Sequence, residues 1–208
     1  MNVWHKLFSQ YKQYILIGVI ILFAIFVRTY HLISVPYSIH RDEVANTYLG
    51  RFVLENGVDI YGNRWPLFYI DKFGDFPPAI PMYLSGAVSY ITGVNVYASR
   101  LPAALAGTLF IVGLYLFILQ TFNQQTALLA SFLAAILPWH VNLSRAGSEG
   151  IIALTVWILG IYLLVCFLKN KHSWQLVLSV FLLFLTYFLY PSFRLLTPLS
   201  LDSHGRVP

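Results

Sequence analysis

Charge is what this chain has least of. Only 10% of its 208 residues are Asp, Glu, Lys or Arg, whereas 58% are hydrophobic. An ordinary soluble domain carries about 25% charged residues. A water-bounded core of this size could not hide so much apolar surface, so lipid must replace water around most of the chain. Cysteine is almost missing too. Cys166 stands alone in an apolar run, which excludes an internal disulfide and a cysteine-based metal site; it reads as a small lipid-buried hydrophobe. The net charge of +5 gathers into no basic face, so nucleic acid is not a partner, and the mild excess fits a membrane surface. Acids are scarcer still. Six of the eight, Asp42, Glu43, Glu55, Asp59, Asp71 and Asp75, lie in one polar stretch between His40 and Pro78.

What remains is a series of apolar runs. Residues 13–27 are uncharged. Fifteen residues of helix reach only about 22 Å, short of a core of about 30 Å. With Tyr11 and Tyr30 at the two interfaces and Arg28 snorkelling, residues 11–33 suffice. No small-residue cleavage site follows, which favours an uncleaved anchor. Further spans are expected at about 99–120, 125–142, 150–168 and 173–193. Residues 77–93 hold Pro77, Pro78, Pro81, Gly86 and Gly93, so the apolar helix left there, roughly 82–92, is expected to lie at the interface. The fold class is therefore an all-α integral membrane protein of about five crossings. One or two interfacial helices belong to the first loop, 34–98, and residues 1–208 form a single membrane domain. Lys6, Lys12 and the basic loop Lys169–His172 place the N-terminus in the cytoplasm and both acidic islands outside a cell membrane.

Within the long loop, Pro36-Tyr37-Ser38 reads as a turn, with Ser38 as the cap of a helix from Asp42 to Glu55 that Asn56-Gly57 ends. Val44, Tyr48 and Phe52, flanked by Ala45, Leu49 and Val53, make an apolar stripe for a membrane surface. Residues 58–76 read as irregular, with Trp65, Phe68, Tyr69 and Phe73 among headgroups.

Asp42-Glu43 opens that helix. Acids in a first turn offset the helix dipole by about 0.3–1 kcal/mol each, a sufficient structural reason for the pair. The surrounding pattern adds a chemical one. A carboxylate at a membrane face can take the proton of an acceptor hydroxyl. Lys72, Arg100, Arg145 and Arg194, on the same inferred side, can hold a lipid phosphate as it leaves. Arg100 and Arg145 are the only charges between Asp75 and Glu149; interface snorkelling explains either one equally well. His40, Asp42, His140 and Glu149 are a weaker set for a divalent metal, because their spacing matches no ligand motif. No cofactor is firmly implied.

These pieces, taken in order, resemble the N-terminal part of the dolichyl-phosphate-mannose–protein mannosyltransferase family (glycosyltransferase family 39, GT-C class). The matching stretches are Asp42-Glu43 with its amphipathic helix, Phe76-Pro77-Pro78 with Tyr83-Leu84, and Ser99-Arg100-Leu101-Pro102-Ala103-Ala104-Leu105-Ala106-Gly107. His140 to Glu149 and Tyr190-Pro191-Ser192-Phe193-Arg194 complete the set. The resemblance implies transfer of a hexosyl group, such as mannose, from a polyprenyl-phosphate donor to a hydroxyl of a protein, lipid or glycan on the extracytoplasmic side. It implies Asp42 as the catalytic acid position, with Glu43 beside it, and Glu149 as the second acidic position, for substrate or metal. Tyr190 and Arg194 join the substrate-binding candidates. The family's Lys before Pro-Pro is here Phe76, with Asp75 before it, so that phosphate contact is either missing or moved to Lys72. The aminoarabinose-transferring branch has an Arg where this chain has Ala45. Family members are longer, so the expectation is a C-terminally truncated chain that inserts in membranes without turning over. Two other classes compete: a transporter or flippase, which would place acids in mid-span, and a non-catalytic membrane subunit, which needs no acids facing bases.

Overall fold

A computed structural model describes the backbone of residues 3–202 and the side chains of residues 12–199. The side chains of Lys6, Tyr11 and the polar tail 201–208, which carry part of the sidedness and truncation expectations, lie outside the described residues. In chain order the helices are α1 (Val3–Thr29), α2 (Arg41–Asn56), α3 (Ala79–Thr92), α4 (Val96–Thr121), α5 (Gln124–Ile136), α6 (Pro138–Arg145), α7 (Glu149–Asn170), α8 (Ser173–Leu185) and α9 (Phe193–Asp202), with a 3₁₀ turn at Thr186–Phe188. Among the described residues there is no strand; the α2–α3 connection carries only isolated bridges, as its mixed composition suggests.

Local chemistry sets the helix ends. Asn95 and Asn123 cap α4 and α5, each side-chain oxygen accepting the backbone N–H three residues on, from Ala98 and Thr126. Glu149 lies in the first turn of α7 and Lys169 in its last, each opposing the helix dipole. Gly57, at φ 69°, ends α2 in a left-handed cap whose N–H bonds to the Val53 carbonyl. The start of α2 differs from expectation: His40, not Ser38, is the cap, with Glu43 accepting from the His40 N–H at 3.3 Å. α3 starts earlier than expected, at Ala79. Pro81 falls in its first turn, where a missing N–H leaves no bond unmade.

Three helical segments are long and apolar enough to cross a membrane: Lys12–Thr29, α4 and α7. α5 and α6 would make a fourth span if counted as one bent unit. Pro138 separates them and disfavours helix at Leu137, so the axis turns by 56°. The segment expected as a span at 173–193 is a shorter apolar helix running Ser173–Phe188. α3, with 14 residues, extends about 21 Å and is too short to cross.

α4 is the central helix, in contact with α1, α2, α3, α5, α6 and α7. Apart from Arg100, the buried residues of its first half are small, Ala98, Ser99, Ala103, Ala104, Gly107 and Thr108, the kind that let helices approach closely in lipid. Ile17, Tyr115 and Ala127 pack α1, α4 and α5 together, and Ala103, Ile152, Ala153, Leu189 and Phe193 join α4 and α7 to the C-terminal segment. The outer faces stay apolar: Leu22, Phe26, Leu133, Val177 and Phe184 are all exposed.

α2 packs on α3 through Leu49, Val53 and Met82, with Ile70 and Ala79. The two backbones touch where Gly50 crosses Gly86; a Cβ on either would overlap the other helix's main chain. The apolar stripe of α2 is thus split. Leu49 and Val53 face α3, while Val44 and Tyr48 remain exposed.

Candidate functional site

The site is built on the segment from the end of α1 to the start of α2. A helix end leaves carbonyls without partners, and three arginines supply them. Arg145 donates to the carbonyls of Val27, Tyr30 (2.7 Å), His31 (3.3 Å) and Val35 (2.9 Å). Arg100 donates to those of Leu32, Pro36 and Ser38, each at 3.0 Å. Its Nε also bonds Glu43 Oε2 at 2.7 Å, in an ion pair with side chains 0% and 4% exposed. A buried pair of this kind needs its remaining donors satisfied, and the carbonyls do that. The result is a clamp that fixes residues 27–38 and the first turn of α2, and so the position of Asp42.

Arg28 is the third. The sequence suggests snorkelling, but the side chain is fully buried. It donates to Ala135 (3.3 Å) and Ala134 (3.4 Å), carbonyls that the Pro138 break leaves open, and contacts His140 Nδ1 at 2.9 Å. A guanidinium always donates, so Nδ1 accepts and the ring proton sits on Nε2.

Above this frame lies an open cleft of about 800 Å³. One wall runs from Pro36 to Asn46, another from Lys72 to Pro78; Asn142 to Glu149 and Tyr190-Pro191 complete it. Asp42 Oδ1 lies 2.7 Å from Lys72 Nζ and 3.8 Å from Arg41 Nε. Its Oδ2 lies 3.0 Å from His40 Nδ1. Protonated, that ring donates to the carboxylate; neutral, Nδ1 accepts from the Asp42 N–H at 3.4 Å. The Lys72 hydrogen bond, with the charges of Lys72, His40 and Arg41, outweighs burial and holds Asp42 below the usual carboxylate range. Lys72 is 8% exposed and also lies 3.7 Å from Asp75. Its backbone pairs with Asp75 across a tight turn whose middle residues, Phe73 and Gly74, have positive φ. Opposite, Asn46 Nδ2 donates to Glu149 Oε1 at 2.7 Å.

The structure therefore brings Asp42, Glu43, Lys72, Glu149 and Tyr190 to one cleft. Arg100 and Arg145 lie behind it, with their donors on backbone carbonyls. Arg194 is outside the lining, with Nε on the Tyr187 carbonyl at 3.3 Å. The metal set is not assembled: His140 sits with Arg28, away from the cleft, and among the described residues no group of three His, Cys, Asp or Glu could hold an ion. Asn46 escaped the sequence reading. Its signal was its spacing, four residues after Asp42 and hence on the same helix face.

The family model described as dolichyl-phosphate-mannose-protein mannosyltransferase matches residues 75–198, more than half of the chain. The chain belongs to this family. No curated protein matches it. Membership makes the protein a membrane glycosyltransferase of the GT-C type. Of the cleft, the mannosyltransferase match includes Asp75, Glu149 and Tyr190; Asp42, Asn46 and Lys72 precede it and join the family region through the cleft itself.

Proposed function

We propose that this chain transfers a hexosyl group, with mannose as the first candidate, from a polyprenyl-phosphate donor to an acceptor hydroxyl on the extracytoplasmic face. The observation that carries the reading is the Asp42–Lys72 pair, a carboxylate and an ammonium in one open cleft at the end of an apolar bundle. Asp42 takes the hydroxyl proton while the acceptor oxygen bonds to the sugar's anomeric carbon. The bond from that carbon to the phosphate oxygen breaks, and the electron pair leaves on the polyprenyl phosphate. Lys72 offsets the charge of the leaving phosphate. Glu149, fixed by Asn46, and Tyr190 border the same space, where an acceptor or sugar would lie.

Helix directions support the sidedness. The C-terminal ends of α1 and α6 and the N-terminal ends of α4 and α7 meet at the cleft, as the Arg145, Arg100 and Asn46 contacts require. At the other end, Lys169 donates to the Gln120 carbonyl. Counting the bent α5–α6 pair and the apolar Ser173–Phe188 segment, continued through Tyr190 at the cleft, as crossings gives five, with the basic loop opposite the cleft and in the cytoplasm.

The test is a transfer assay with polyprenyl-phosphate mannose and a transfer-competent chain containing this segment. The reading predicts release of polyprenyl phosphate in step with mannosylated acceptor, and an increase of about tenfold in donor KM for Lys72→Met, the scale of a lost charge-assisted bond. An unchanged donor KM would remove Lys72 from the donor site.

A further inference from the structure

The charge balance of the cleft poses a problem for the ligand just proposed. Four carboxylates line it, Asp42, Glu43, Asp75 and Glu149, and Lys72 is the lone permanent cation among the lining residues. Arg100 answers Glu43 from behind. That leaves three carboxyl groups to one ammonium, and the ammonium is already held at 2.7 Å by Asp42 and at 3.7 Å by Asp75. An anionic phosphate cannot settle here without drawing on Lys72.

We propose, resting on the donor reading above, that Lys72 masks Asp42 until the donor binds and that the arriving lipid phosphate takes Lys72 for itself, freeing Asp42 to act as the base. The chemistry fits the side chain. An ammonium on a four-carbon stem is a compact point charge with three rotatable donors, and small torsions redirect it without moving the backbone. The backbone here is fixed: Lys72 pairs with Asp75 in both directions, at 2.7 and 3.1 Å.

The charged groups around Asp42 pull both ways, and Lys72 decides the balance. His40 and Arg41 flank it from its own helix start, and Glu43 follows it but is neutralised by Arg100. Lys72 and Asp75 face it from the turn, and Glu149 faces it from α7. Removing the Lys72 hydrogen bond removes the largest influence holding Asp42 acidic, while the negative charges of Asp75 and the phosphate remain to make it more basic. Asp42 is thus a poor base while Lys72 holds it and a better one once the phosphate has drawn Lys72 away. An acceptor hydroxyl arriving before the donor meets no activated carboxylate, which orders the reaction donor first.

The inference has a signature that needs no turnover. Farnesyl phosphate binding is measured by titration calorimetry on the purified 208-residue chain in detergent, for wild type, Asp42→Asn, Lys72→Met and the double variant. Competition for Lys72 predicts that Asp42→Asn tightens binding by about fivefold, the scale of a partly exposed ion pair. It also predicts that this gain disappears in the Lys72→Met background. An equal gain in both backgrounds would mean simple charge repulsion and would overturn the masking; so would no gain with Lys72 present. Lys72→Gln repeats the cycle should the Met form lose its melting transition. Absence of binding by every form overturns the phosphate reading of the cleft and the masking together. Inorganic phosphate, run alongside, is expected to bind far more weakly. Equal affinity with the same cycle would uphold the masking and overturn the lipid-phosphate donor.

Discussion

Asp42 owes its character to its neighbours rather than to its place in a helix. Lys72, His40 and Arg41 surround it and hold its folded titration below the unfolded value. A depressed carboxylate contributes stability that is present above its unfolded pKa, near 3.9, and is lost as pH falls through the lower folded value. Acid unfolding below about pH 4 is therefore expected to be shallower in Asp42→Asn than in wild type, as read by melting temperature in detergent against pH; identical profiles would mean that Lys72 does not engage Asp42. Glu43 and Arg100 act differently. Both are buried and bonded to each other, so removing one strands the other. Arg100→Met is expected to destabilise by about 3–5 kcal/mol. A stable Arg100→Met chain with weakened farnesyl phosphate binding would return Arg100 to the donor site. The sequence showed these arginines as isolated charges in an apolar chain, and that much was legible. Most of their partners were not: beside Glu43 for Arg100 and His140 for Arg28, they are backbone carbonyls, which have no letter in a sequence.

Elements meet here through backbone contacts that sequence patterning only hints at. Gly50 and Gly86 let α2 cross α3 with main chains touching, and α2 holds the first turn in which Asp42 sits. Gly86→Ala must push the helices apart, at an expected 1–3 kcal/mol of stability, roughly. A neutral Gly86→Ala would mean that the crossing is looser than drawn. The α5–α6 break offers a cleaner test. Pro138 frees two carbonyls and Arg28 occupies them. Arg28→Met is expected to destabilise by about 1–3 kcal/mol, and by clearly less in a Pro138→Ala background, where the helix can satisfy its own carbonyls. Equal losses in both backgrounds would separate Arg28 from the break. Pro138 was visible in the sequence, but a proline in a span predicts a kink only where its freed carbonyls find a donor, and that donor lies 106 residues away in α1.

At the scale of the whole molecule, composition alone placed the chain in lipid, and helix positions followed from the uncharged runs. α4 and α7 extend a few residues beyond the runs that announced them, because polar caps lie outside the hydrophobic signal. Asp42, Lys72 and Glu149 were legible as polar residues in an apolar chain; their convergence was not, since it depends on how α2, the 72–75 turn and α7 fold back on one another. The proposed five crossings would place Tyr61 and His172 on opposite sides. Single cysteines there, in a Cys166→Ser background, are expected to react with impermeant reagent from outside and inside respectively, and labelling of both from one side would break the topology. The central claim, that this cleft moves a sugar with Asp42 as its base, is tested most directly by the transfer rate of Asp42→Asn in a transfer-competent chain containing this segment. Asparagine keeps the shape and still suits a first helical turn, but it cannot take a proton. The account predicts a fall of about 10²-fold or more in rate with the melting temperature near wild type. Near-normal transfer by the folded variant would contradict it.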